Sequence, residues 1–98
     1  MVKYALIARV EAKPGKEDAV EQFLKSALPL AEDEKETVSW YALKMGPSTF
    51  GIFDTFNDEA GREAHLSGKI AAAIMQHADE LLSKPPVIEK VELLAVKA

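Results

Sequence analysis

The spacing of apolar residues along this chain alternates between a period of about two and a period of about 3.6, and those two periods belong to strands and to helices. From Lys3 to Ala12 the chain is rich in β-branched, aromatic and aliphatic residues, and the run stops at Lys13-Pro14-Gly15, a strand followed by a turn. Ala19, Val20, Phe23, Leu24, Ala27 and Ala31 then recur at helical spacing, with Glu21, Gln22 and Lys25 opposite them, which predicts one amphipathic helix of about four turns. Pro29 falls on its solvent side near the end, where the missing N–H kinks or stops a helix. The acidic run from Glu32 to Glu36 reads as a solvated connection. Thr37 to Met45 and Ser48 to Phe56 read as two strands joined through Gly46-Pro47 into an antiparallel hairpin. Asn57 is the expected N-cap of a short helix that begins at Asp58-Glu59 and ends near Ser67-Gly68. A last helix is expected from Lys69 to about Ser83, stopped by Pro85-Pro86, and a last strand from Val87 to Val96.

Strand, helix, strand, strand, helix, strand is a split βαβ order. Right-handed crossovers turn it into an α+β, ferredoxin-like βαββαβ fold: a four-stranded antiparallel sheet with its helices on one face. The other face is then the open question, because a wet face needs polar residues at alternate positions. Here both parities are apolar. Tyr4, Leu6, Ala8 and Val10 stand against Ala5 and Ile7 in the first strand, and Val87, Val91 and Leu93 against Ile88, Leu94 and Val96 in the last. A chain of 98 residues has much surface for its volume. Covering the second face with another copy of itself, sheet on sheet, is the least elaborate solution, so a homodimer is expected.

Composition narrows the partners. An apolar fraction of 48% with 29% charged residues is globular, and residues 1–98 show no domain boundary. The formal charge of -4 leaves no basic stripe for nucleic acid or for an anionic membrane surface. No segment approaches the ~18 apolar residues of a membrane span, and the N-terminal apolar run is broken by Arg9 and Glu11, so a cytoplasmic protein is expected. With no cysteine there is no disulfide, thiolate metal site or cysteine nucleophile, and the two histidines lie twelve residues apart, so no metal site is expected.

The order of elements, together with Lys13-Pro-Gly-Lys16, Phe53-Asp-Thr-Phe56 and Glu63-Ala-His-Leu66, resembles the antibiotic biosynthesis monooxygenase family over nearly the whole chain. The resemblance implies a dimeric α/β barrel. It also implies oxygenation of a phenol or quinol by O2 with no metal, flavin or other cofactor, a chemistry in which the substrate itself passes electrons to oxygen. Many relatives place a tryptophan near the end of the third strand, where this chain has Phe56. The haem-degrading branch of the superfamily carries an asparagine, a tryptophan and a ligating histidine where this chain aligns Ala8, His65 and Met75, so haem degradation is not expected.

His65 matches the histidine of the family phrase, and Gly61, one turn earlier, leaves room beside it for a ligand. It is the first catalytic candidate, as a base or hydrogen-bond donor; the plainer reading is a half-buried histidine bonded to a carbonyl. Trp40 and Tyr41 point to opposite faces of the second strand, so only one of them meets a helix-side cavity. Tyr41 is the second catalytic candidate. Trp40, Phe56, Gly61, Arg62 and Met75 are the substrate-binding candidates, against a core role for the aromatics and a surface ion pair for Arg62 or Arg9. His77, at the edge of the last helix, reads as structural. Asp54, amid Ile52, Phe53 and Phe56, must be paired, hydrogen-bonded or shifted in pKa if buried. The leading expectation is a cofactor-independent monooxygenase of a small aromatic, quinol-type substrate. Its alternatives are a non-catalytic small-ligand-binding or stress-associated barrel and an isomerase of a small keto compound.

Overall fold

A computed structural model describes residues 2–97. The elements run β1 (Tyr4–Glu11), α1 (Glu17–Ser26), α2 (Leu28–Glu32), β2 (Thr37–Lys44), β3 (Thr49–Phe56), α3 (Glu59–Leu66), α4 (Lys69–Leu81) and β4 (Val87–Glu92). The strands form one antiparallel sheet in the order β2-β3-β1-β4, the ferredoxin-like α+β arrangement. Across β1 and β3, Leu6 faces Asp54, Ala8 faces Ile52 and Val10 faces Phe50. That face takes the helices. Val10, Phe50 and Ile52 share a core with Val20 and Leu24 of α1, Ala31 of α2, and Ile70, Ile74 and Leu81 of α4.

Three expected boundaries shift. The long first helix is two, because Pro29 cannot donate back to the preceding turn; the chain breaks at Ala27 and restarts with Pro29 in the first turn of α2. The N-cap of α3 is Asp58 and not Asn57: its extended backbone lets Oδ1 accept the Gly61 N–H at 2.7 Å. The last strand stops at Glu92 and not at Val96, although Leu93 N–H still donates to the Lys3 carbonyl at 2.7 Å. The hairpin closes as expected, with the N–H groups of Met45 and Gly46 both donating to the Thr49 carbonyl.

The sheet's outer face carries no helix. Tyr41 stacks there on Phe53 with ring centroids 6.4 Å apart. Val38, Tyr41 and Val87 are each about half exposed, at 48%, 54% and 48%, and Leu94 just beyond β4 is 92% exposed.

Candidate functional site

Two cavities meet at His65. The first, of about 130 Å³, lies between the sheet and α4. Its lining is apolar, Leu6, Ala8, Ile52 and Ile88 from the strands and Ile70, Ile74 and Met75 from α4 among them, except for Asp54 and His65. Met75 at 62% and Ile88 at 44% exposure are its solvent-facing members, so it opens between α4 and β4. The second cavity, of about 310 Å³, lies on the other side of α3, between α3 and the α2–β2 connection, and is lined by polar and charged residues including Glu34, Glu36, Thr37 and Lys69.

The imidazole bridges them. Its Nε2 lies 2.8 Å from Asp54 Oδ2, and its Nδ1 lies 2.7 Å from Glu34 Oε1. Thr37 Oγ1 also donates to Glu34 Oε1, at 2.8 Å, and Phe56 packs against the ring at a centroid distance of 5.4 Å. Local sequence explains how the three groups meet. Asp54 shares the inward parity of Ile52 and Phe56 on β3, so alternation alone turns it toward the helices. His65 sits one turn after Gly61 on the face of α3 that also buries Gly61 and Arg62. Gly68 provides space for the third group, because a β-carbon there would stand 3.3 Å from Glu34 Oε2.

Asp54 is 1% exposed, and neither of its oxygens receives an aligned hydrogen bond among the described residues. Its charge is therefore balanced by proximity to one imidazolium and by little else. A buried carboxylate in that condition is costly unless a cation or a donor reaches it. Burial is the largest single influence on His65 and disfavours its charged form, yet Asp54 and Glu34 together outweigh it and hold the His65 pKa above its ordinary 6.5. The two carboxylates on opposite ring nitrogens thus favour the charged form of His65 over what burial alone would leave. The linkage has a definite sign. A pKa raised on folding adds stability that is fully present below the unfolded value and is lost as pH rises through the folded value. The urea-midpoint difference between the wild-type chain and a His65→Gln variant is thus expected to be largest near about pH 6 and to shrink toward about pH 8. A difference that grows with pH over that window defeats this account.

The other candidates separate. Phe56 is fully buried against His65, and Met75 lines the apolar cavity. Trp40 faces the helices and packs on the core, with its indole N–H unpartnered among the described residues. Gly61 borders the open cavity, but the space at its α-carbon is occupied by Glu36, whose β-carbon would lie 3.1 Å from an added Cβ, and by the Asp58 cap. Tyr41 lies on the outer face, across the sheet from His65, so within one chain the two do not share a cavity. Arg62 is committed elsewhere, 3.4 and 3.2 Å from the carbonyls of Ala5 and Val91 and over the Tyr4 ring, where it ties α3 to β1 and β4. Arg9 Nη1 lies 3.7 Å from Met45 Sδ, and His77 packs edge-on against Phe23. Glu34 had no distinguishing sequence signal, since nothing in the acidic run separates it from Glu32 or Glu36. With Asp54 and Glu34 on opposite nitrogens of one ring, the three groups do not converge on a point, and among the described residues no group of three or more such side chains could hold a metal ion. No described helix is long and apolar enough to cross a membrane.

The chain is 65% identical to a protein of unknown function from Nitrosomonas europaea, NE2512, over 100% of this chain and 95% of that one, with a TM-score of 0.97. PA3566 from Pseudomonas aeruginosa shares the fold at 21% identity and a TM-score of 0.81, over 97% of each chain. A second Nitrosomonas europaea protein, named provisionally as an antibiotic biosynthesis monooxygenase, shares it at 14% identity and a TM-score of 0.82, over 94% of this chain and 99% of that one. No family model and no curated protein matches.

Proposed function

We propose, for a chain that belongs to the same family as NE2512 of Nitrosomonas europaea, that it binds a single-ring phenol or quinol in the apolar cavity and oxidises it with O2. One observation carries this reading: a carboxylate, Asp54, that is 1% exposed and short of donors in the wall of an otherwise apolar cavity. A cavity of about 130 Å³ is close to the roughly 150 Å³ that accepts one benzene ring in an apolar protein interior. Nine apolar side chains hold the ring, and a phenolic hydroxyl supplies the hydrogen bond that Asp54 lacks. The likeness in fold to a provisionally named monooxygenase supports the reaction class.

Asp54 accepts the phenolic proton and the Coulomb field of protonated His65 stabilises the resulting anion. The electron-rich phenolate is the reductant for O2. Ring C–H and O–H bonds are lost, one oxygen atom becomes a new ring carbonyl, and the other leaves as water, so that phenol and dioxygen balance to quinone and water with no further reductant. Oxygen uptake by the wild-type protein against a panel of single-ring quinols and phenols tests this. Uptake with quinone formation is the expected result. Ligand binding with no uptake reduces the chain to a binding protein, and no binding at all removes the reading.

The outer face is assigned to a second copy of the chain. Val38, Tyr41 and Phe53 of that face border one shallow recess with Leu93 and Val96 beyond β4, and Val38, Tyr41 and Val96 are each about half exposed, an apolar surface that a second copy would cover. Sedimentation at micromolar concentration is expected to give twice the chain mass of 10.7 kDa. A stable monomer rules the assembly out.

A further inference from the structure

We propose that the phenol taken by the apolar cavity carries an unbranched apolar tail on the carbon opposite its hydroxyl, and that this tail leaves between α4 and β4 over Met75 and Ile88. The inference rests on the reading of that cavity as a phenol site and narrows its substrate class. The cavity, of about 130 Å³, holds one ring and little more, so any further part of a ligand lies in its mouth or beyond. The hydroxyl has its place at Asp54, the carboxylate that is 1% exposed and lacks an aligned donor among the described residues. The mouth is on the edge strand. Asp54 of β3 pairs with Leu6 of β1, and Ala8, two residues further along β1, pairs with Ile88 of β4. Asp54 and Ile88 are thus two strands across and two residues along the sheet from each other, roughly 12 Å at ordinary strand spacings. A ring bonded to Asp54 falls short of Ile88, and the carbon that points along the remaining path is the para carbon.

Small side chains keep that path open. Ala8 lies between Ile52 and Ile88 in the sheet, Ala71 lies one turn before Met75 on α4, and both line the cavity. A branched side chain at either place would fill the space between the ring and the mouth. The rim is apolar, with Met75 62% and Ile88 44% exposed. A lone exposed apolar side chain is ordinary, but these two flank one opening. Met75 is unbranched and flexible, so its thioether can fold over a chain that passes beside it. A polar tail finds no partner there: Lys90, two residues on from Ile88, is already paired with Glu63 of α3, and among the described residues Asp54 and His65 are the only ionisable groups in the lining. With the para carbon occupied, the ring carbon beside the hydroxyl takes the oxygen. Its C–H and the O–H are lost, one oxygen atom becomes the second carbonyl of an ortho-quinone, and the other leaves as water.

The probes are phenol and two series of alkylphenols, para and ortho, from methyl to butyl, with binding to the wild-type chain measured by calorimetry in the absence of oxygen. Isomers of one chain length are nearly equal in hydrophobicity, so a difference between the series reads the shape of the site. Para affinity is expected to rise by roughly threefold to fourfold per added methylene, the factor for taking one CH2 out of water. para-Butylphenol is expected to bind at least about tenfold more tightly than ortho-butylphenol, the effect of about two methylenes. A charged tail, in para-hydroxyphenylpropionate, is expected to bind more weakly than para-propylphenol by about tenfold or more. Met75→Gln, which makes the rim polar, and Ala71→Leu, which fills the path, are each expected to lower the ratio of para-butylphenol to phenol affinity by about fivefold or more. If phenol binds but the para series is no tighter than the ortho series, or the propionate binds best, the tail is overturned and the phenol site stands. A ratio unmoved in both variants places the tail at another exit and also overturns the assignment. Failure of phenol and of every alkylphenol to bind removes the site and the tail together.

Discussion

Asp54→Asn is expected to lower oxygen uptake by about 10²- to 10⁴-fold on any phenol that the wild-type chain oxidises, the loss typical of removing a positioned base. Asparagine has nearly the shape of aspartate and keeps a carbonyl oxygen toward the cavity, so the ring should still bind. What it loses is the charge that takes the proton. The effect is therefore expected in turnover far more than in the apparent affinity for substrate. The fold should survive, because the group left behind is His65, which can shed a proton and still hold Glu34 through Nδ1. Uptake by Asp54→Asn within about twofold of wild type would assign the chemistry to other residues.

The second large effect is on stability, and it comes from the opposite partner. His65→Leu leaves a carboxylate that is 1% exposed with no cation in contact and no aligned donor among the described residues. Breaking a buried pair from one side costs about 3–5 kcal/mol, a large share of the roughly 5–15 kcal/mol that holds a domain folded. For a chain of this size that is a fall in melting temperature on the order of 10 °C or more. Removing the stranded charge as well, in His65→Leu with Asp54→Asn, is expected to recover most of the loss. A single variant that melts within about 2 °C of wild type would mean that the pair contributes little, as exposed pairs do. Denaturation of the four chains of this double-mutant cycle measures the coupling directly.

How much of this could be read from residues alone differs from element to element. The strands were legible because Leu6, Ala8 and Val10, or Phe50, Ile52 and Phe56, repeat at the strand period, with Asp54 the one charged residue in the second series. The break between α1 and α2 was legible in kind, since Pro29 announces it, but its place at Ala27 depends on how the two segments settle on the core. Asn57 and Asp58 are both good caps, and only the path of the chain leaving β3 determines which one is extended where the helix begins. Tyr41 and Trp40 show a firmer limit. Alternation establishes that they face opposite sides, and the register with β3, which pairs Trp40 with Asp54, decides which side is which.

His65 and Asp54 could each be singled out in sequence, one by its phrase and the other as a charge among apolar neighbours. Glu34 could not, because a solvated acidic run and a run that contributes one carboxylate to a buried histidine have the same composition. What the sequence determined by itself is whatever follows from local rules: the period of each segment, the residues that stop it, and the strand faces that must be buried. What only the tertiary structure decided is the meeting of Asp54, His65 and Glu34, which come from β3, α3 and the link between α2 and β2. The pairwise distances within that group arise from the docking of α3 against the sheet, and no spacing along the chain encodes them. For that reason His65, which by its ordinary pKa of 6.5 is a base on paper, lies in the fold between two acids that hold its pKa above that value.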